Sequence, residues 1–209
     1  MLYGVTINGV NTLTEYGLFL CADLVIGEPR LKENYIDIPG GNGSLNLSYS
    51  PQGYAVYEDR AISFTLFKPM DEEERNRLAT MLRNAWHGQE VNLILPNDLT
   101  HYWVGVIQFG EISGYNSGEI RVTMRAAPFK LANSLTSVSG TGEVTLSNER
   151  MPAVPTVTAT EAVTLAWNGY SVAISPGTQR IPQLVLQSGD TVVTVNGGSV
   201  TFEYREGSL

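Results

Sequence analysis

The chain has 209 residues, of which 43% are hydrophobic and 16% are charged, and its formal net charge is −8. The acidic balance argues against stable nucleic-acid binding, which requires a basic face, although DNA could pass an acidic surface without adhering to it. Cys21 is the only cysteine, so an intramolecular disulfide is excluded.

The chain shows no targeting or membrane-spanning pattern. The N-terminus lacks a basic start followed by an apolar core, so we expect no signal peptide. There is also no run of about 18 apolar residues, so we expect no membrane insertion. Synthesis and folding in the cytoplasm follow from both expectations.

The first predicted elements are strands. Asn8 and Gly9 form the two-residue signal of a tight β-hairpin. Residues 17–26, "GLFLCADLVI", are predicted to form a buried extended run, with Cys21 as a small core residue.

Residues 34–48, "NYIDIPGGNGSLNLS", allow two interpretations. A phosphate-binding loop would need glycines that lead into a helix, usually with a following Lys. Instead, apolar residues alternate with polar ones on both sides of the glycines, which is typical of two half-buried strands. We therefore predict a long hairpin, and we hypothesise that its tip is an oligomer interface rather than a ligand loop. The tip residues are Pro39, Gly40, Gly41, Asn42, Gly43 and Ser44.

One helix is predicted between residues 71 and 88. Asp71 and Glu74 form a capping box, and Gly88 is a favourable stop. The predicted apolar stripe, which would pack on a sheet, consists of Leu78, Met81, Leu82, Ala85 and Trp86.

Strand patterns resume after the helix and continue to the C-terminus, with turns predicted at residues 114–118 and at Asn168-Gly169. Residues 132–142 are rich in Ser, Thr and Gly and are predicted to be a linker. The expected architecture is mainly β (α+β). It comprises a domain over residues 1–131, with a barrel or sandwich and one helix, and a small β-sandwich over residues 143–209.

No constellation of catalytic residues is evident. His87 and His101 are the only histidines, and neither stands at metal-ligand spacing, so we expect no catalytic site, no metal site and no cofactor. Trp167 and Tyr170 flank the Asn168-Gly169 turn, where they could contact a sugar. Trp167 is also in phase with Val163 and Leu165, which favours a core position.

Several segments together resemble the N-terminal domain of phage distal tail proteins. These are "YGVTINGVNTLTEYGLFL", "NYIDIPGGNGSLNLS", "RAISFTLF", the helix, "GQEVNLIL" and "YWVGVI", in that order. The Tyr-x-x-Ile-Pro-Gly-x-Asn-Gly-Ser-Leu-x-Leu run is the most specific part, with Gly41 where the family usually has a charged residue. The resemblance covers residues 1 to about 131.

The resemblance implies a structural role in the virion, at the distal end of the tail. The N-terminal domain would be split-barrel-like and would close into a homo-hexameric ring between the tail tube protein and the tail-tip hub or tail-associated protein, with DNA passing through its lumen. The C-terminal domain would be a galectin-like β-sandwich that docks receptor-binding or side-fibre proteins. The alternative function is a carbohydrate-binding module that uses this sandwich.

Overall fold

The structure is a computed structural model that describes residues 2–51, 53–110 and 118–209. The chain divides into two compact units, Met1–Lys130 and Leu131–Leu209, and each has its own hydrophobic core. Strands dominate both units, which confirms the mainly β fold class. The turn predicted at residues 114–118 lies almost entirely outside the described residues.

The described part of the first unit contains two helices and one large antiparallel sheet. Its elements are β1 (Thr6–Ile7), β2 (Val10–Asn11), α1 (Thr12–Tyr16), β3 (Phe19–Leu20), β4 (Val25–Ile26), β5 (Tyr35–Asp37), β6 (Ser44–Asn46), β7 (Arg60–Phe67), α2 (Glu72–Trp86), β8 (Glu90–Leu95), β9 (Asp98–Phe109) and β10 (Glu119–Ala126). The sheet order is β2-β1-β8-β9-β10-β7-β3, and β4 also pairs with β7. Strands β5 and β6 form a separate two-stranded sheet.

The N-terminal hairpin turns at Asn8 and Gly9, whose φ angles are 48° and 84°. This confirms the predicted tight turn. The one-turn helix α1 that follows was not predicted. Asn11 caps it by accepting hydrogen bonds from the Leu13 and Thr14 amides, and Gly17 ends it at φ +70°. A helix of one turn is too short to show a periodic apolar pattern.

Helix α2 confirms the predicted start and stop. The Asp71 carboxylate accepts a hydrogen bond from the Glu74 amide at 2.8 Å, and the chain leaves the helix before Gly88, at φ +75°. The predicted stripe is partly wrong, because Met81 and Ala85 are exposed. The buried residues are Arg75, Leu78, Ala79, Leu82 and Trp86. The buried stripe of α2 therefore begins one turn earlier than predicted, at Arg75. An apolar pattern does not include an arginine, so it could not predict this position.

Residues 17–26 do not form one buried extended run, and that prediction was wrong. The run consists of the two short strands β3 and β4, both paired with β7, and Val25 is 59% exposed. Between the two strands, the Asp23 carboxylate accepts hydrogen bonds from the Thr65 amide at 3.0 Å and the Thr65 hydroxyl at 2.6 Å. This polar attachment interrupts the ladder at the edge of the sheet.

The second unit is built around two long paired strands. Its elements are β11 (Lys130–Ala132), β12 (Thr136–Asn148), β13 (Thr156–Ala159), β14 (Val163–Trp167), β15 (Tyr170–Ile174), β16 (Gly177–Arg180), β17 (Gly189–Tyr204) and β18 (Gly207–Ser208). Strand β17 pairs with β12 along its length, and the register shifts between Gly140 and Gly142. On its other side β17 pairs with β14 through residues 194–196 and with β13 through residues 200–203.

The linker predicted at residues 132–142 is wrong, because most of it belongs to β12. Ser137 and Ser139 point to solvent, while Val138 packs against the core of the second unit. The composition resembles that of a linker because this strand has one solvated face and a glycine bulge. Its partner β17 lies about 60 residues later, beyond the reach of a local pattern.

Candidate assembly surface

Residues 30–51 and 53–58 belong to a hairpin arm that leaves the first unit between β4 and β7. At its base, the Lys32 amide donates to the Val56 carbonyl at 2.8 Å and the Glu58 amide donates to the Arg30 carbonyl at 2.7 Å. Further out, the Leu47 amide donates to the Asn34 carbonyl at 2.7 Å. These backbone bonds hold the two sides of the arm together as far as β5 and β6.

The tip of the arm is a tight turn. The Gly41 amide donates to the Ile38 carbonyl at 3.0 Å, with Pro39 and Gly40 between them, and Gly40 has φ +77°. Proline followed by a glycine at positive φ is the pattern of a type II turn. The chain then enters strand β6 instead of a helix. No helix N-terminus is therefore available at these glycines to receive a phosphate, and the hairpin interpretation is confirmed.

The arm has two chemically different faces. Ile36 lies opposite Leu45, while Tyr35 lies opposite Asn46 and Asp37 lies opposite Ser44. Because side chains alternate along a strand, one face of the hairpin is aliphatic and the other is mainly polar. The aliphatic face consists of Ile36, Ile38, Leu45 and Leu47. On the polar face, the Ser44 hydroxyl donates to the Asp37 carboxylate at 2.7 Å.

The aliphatic face is open to solvent in the single chain. Its four side chains are between 45% and 51% exposed, and every residue of β5 and β6 is exposed. The prediction of half-buried strands was therefore wrong for the isolated chain. The same alternation marks a surface that gains free energy when another surface covers it, which sequence reasoning interpreted as burial within its own domain.

The possible sugar-contact residues lie in the second unit. Trp167 is 5% exposed and belongs to its core, whereas Tyr170 is 54% exposed. The two rings stack, with centroids 5.6 Å apart and planes at 23°. Only Tyr170 could therefore offer an aromatic face to a sugar, and a sugar contact there stays a prediction.

The histidines take structural positions. His87 Nδ1 accepts a hydrogen bond from the Phe109 amide at 3.0 Å. His101 lies beside Asp98, whose carboxylate also accepts from Lys130 at 2.7 Å. Burial alone would raise the pKa of Asp98, but hydrogen bonds from Lys130, Thr100 and His101 lower it well below its ordinary value. Among the described residues, no group of three or more His, Cys, Asp or Glu side chains could hold a metal ion.

The first unit has an open groove of about 900 Å³, lined in part by Lys32, Glu58, Asp59, Arg60 and Arg125. In this groove, Asp59 accepts a hydrogen bond from Arg125 Nε at 2.7 Å. In the described part of the chain, no helix is long and apolar enough to cross a membrane.

The fold is thus that of a mainly β protein with two units and a projecting, two-faced hairpin. Among solved structures, the chain is similar over its whole length to the Dit protein (gp 19.1) of SPP1, with a TM-score of 0.67 and 12% sequence identity, and the match covers 100% of both chains. That protein is described as a paradigm of the hub adsorption apparatus in Gram-positive infecting phages. At this identity the likeness establishes the fold. No protein-family model and no curated protein sequence matches the chain.

Proposed function

We propose that the chain is a structural protein of the distal end of a phage tail, where copies of it assemble into a ring. The observation that carries this proposal is the solvent-exposed aliphatic face of the arm, on a chain that shares its fold with a hub protein of a phage adsorption apparatus. We propose a hexameric ring, as the sequence resemblance implies.

Closing a ring requires that one surface of each copy binds a different surface of the next copy. The aliphatic face of the arm is suited to this role because it projects from its own domain and is uncovered there. Each of its four side chains retains about half of its exposed area. Covering that area is worth about 1 kcal/mol per side chain, and the gain recurs at every interface of the ring.

The tip of the arm can contribute through its backbone. Residues Pro39 to Ser44 carry no charge, and all six are exposed. An uncharged and exposed backbone segment can add to the edge of a neighbouring sheet. In this arrangement the aliphatic face supplies most of the binding free energy. The tip determines which strand edge of the neighbouring copy the arm binds.

The remaining parts of the proposal concern partners and location. The ring would join the tail tube protein to the tail-tip hub, and its acidic chains would let DNA pass through the lumen without adhering. The second unit, as a galectin-like sandwich, would dock receptor-binding or side-fibre proteins. The protein would be made in the host cytoplasm and would act in the virion, without a cofactor and without catalysis.

Native mass spectrometry of the full chain, alone and mixed with the tail tube protein, tests the proposal. We expect a closed ring for the unaltered chain and monomers for a chain that lacks residues 40–43. Circular dichroism checks that the shortened chain is folded. Native rings from the shortened chain would contradict the role of the arm, and a monomer under every condition would contradict the ring itself.

A further inference from the structure

The first observation concerns the long edge of the second unit. Strand β12 (Thr136–Asn148) pairs with β17 on one side, and no other strand among the described residues pairs with it. Thr145 and Ser147 on its outer face are exposed, while Val144 and Leu146 on its inner face are buried. The inner face of the strand therefore packs in the core, and no described strand occupies its second edge.

Natural sheets usually protect such an edge with lysines, prolines or very short strands. Strand β12 has 13 residues and contains no Lys, Arg or Pro. The bulge between Gly140 and Gly142 is its one irregularity. For comparison, the edge strand β16 has four residues, and its Arg180 is bound to the Val154 carbonyl. The edge of β12 is thus open to pairing with another chain.

The charges near this edge indicate what could pair with it. Glu143, which is exposed, is the one charged residue of β12, while β17 on the paired side of β12 carries Asp190 and Glu203, both exposed, and no cation. A strand added beside β12 would place every second side chain on the outer face, next to Glu143, and the others on the inner face, beside Val144 and Leu146. A partner strand that complements both faces of β12 would therefore alternate basic residues, on the outer face, with aliphatic residues, on the inner face.

We propose that the free edge of β12 binds an extended segment of a different protein, with alternating basic and aliphatic side chains, by strand addition. A second copy of this chain is a poor occupant, because its own β12 would bring another Glu143 and no cation. The inference rests on the proposed function only in that the chain works within an assembly of different proteins. It gives the docking role of the second unit a defined location and a defined partner chemistry.

Two synthetic peptides test the proposal on the full chain. Both have nine residues, one alternating lysine with valine and the other alternating glutamate with valine. We expect the lysine peptide to bind about tenfold more tightly at low salt. We also expect it to slow amide hydrogen exchange within residues 136–148. Equal binding of the two peptides, no binding, or protection only in other segments would overturn the proposal.

Variants separate this site from general charge attraction and from ring formation. Glu143→Lys should weaken binding of the lysine peptide about tenfold, while Glu73→Lys on helix α2, which changes the net charge equally, should leave it unchanged. Equal effects of the two variants would overturn the proposal. Native mass spectrometry of Glu143→Lys should show the same assembly as the unaltered chain, so a failure of ring formation is measured separately from a failure of peptide binding.

Discussion

Ile36 and Leu45 lie directly opposite each other on the arm, and each leaves about half of its side chain in water, 50% and 49% respectively. Cross-strand aliphatic pairs normally stabilise a sheet by packing together under a second layer. Here the second layer is missing from the single chain. The pair therefore has about half of its burial free energy left for an intermolecular contact.

The first prediction concerns this pair. Ile36→Lys should abolish ring formation in native mass spectrometry, because it places a charge in the surface that a neighbour would cover. The free energy of unfolding of the monomer should fall by no more than about 1 kcal/mol, because only half of the side chain is buried. Val192→Lys is the matched control, since Val192 is 48% exposed and lies in the second unit. Rings that persist in Ile36→Lys would show that this face is not an interface.

The second prediction separates two kinds of glycine. A Cβ at Gly105 would lie 2.2 Å from the Arg125 carbonyl oxygen on the neighbouring strand β10. Gly105→Ala should therefore force β9 and β10 apart and cost about 3 kcal/mol of unfolding free energy. A Cβ at Gly40 meets nothing within 4 Å. Gly40→Ala should therefore lower the free energy of unfolding by only about 1 kcal/mol, which is the cost of a left-handed backbone for alanine. Urea denaturation of the two variants measures both free energies of unfolding. Equal losses would contradict the conclusion that Gly105 is required for space and Gly40 only for its backbone angle.

Local signals were sufficient where a residue and its immediate neighbours determine the structure. Asn8-Gly9 requires a particular turn, and Asp71 begins a helix by binding an amide three residues away. The failures have a different physical origin. Residues 132–142 pair with a strand about 60 residues later. Residues 17–26 are interrupted where the Asp23 carboxylate accepts a hydrogen bond from the Thr65 hydroxyl. Alternation in the arm correctly predicted two faces of different chemistry, but the burial predicted for one of them is not found in the single chain.

The third prediction concerns pH. Asp98 accepts hydrogen bonds from Lys130 at 2.7 Å and from the Thr100 hydroxyl at 2.7 Å, and these bonds hold its folded-state pKa below its ordinary value despite burial. A carboxyl group whose pKa is lowered by folding stabilises the protein above its unfolded pKa, and this stabilisation is lost as the pH falls through the folded pKa. Asp98→Asn should therefore cost about 2 kcal/mol at pH 7, and the difference from the unaltered chain should shrink below about pH 4.

Urea denaturation between about pH 2 and pH 7 measures this difference. Asp59→Asn is the control, because Asp59 pairs with Arg125 at the surface, where an ion pair contributes less than about 1 kcal/mol. A cost of Asp98→Asn that stays constant from pH 7 to pH 2 would show that the ionised carboxylate is not what stabilises the fold there.

The fourth prediction concerns Arg60, which is 6% exposed and lies with its guanidinium carbon 4.6 Å from the centre of the Trp103 ring. Its Nη2 donates to the Pro128 carbonyl at 2.5 Å, but its buried Nε has no hydrogen-bond partner among the described residues. The charge is therefore incompletely compensated, and much of what the side chain contributes is packing against the indole.

Arg60→Ala should cost about 3 kcal/mol of unfolding free energy, because it leaves a cavity beside Trp103 and an unpaired carbonyl. Arg60→Met should cost only about 1 kcal/mol, because it keeps the aliphatic stem and removes the incompletely compensated charge. Chemical denaturation of the two variants gives the comparison. If Arg60→Met lowers the free energy of unfolding as much as Arg60→Ala does, the cation–π contact and the hydrogen bond to Pro128 contribute more to stability than packing does.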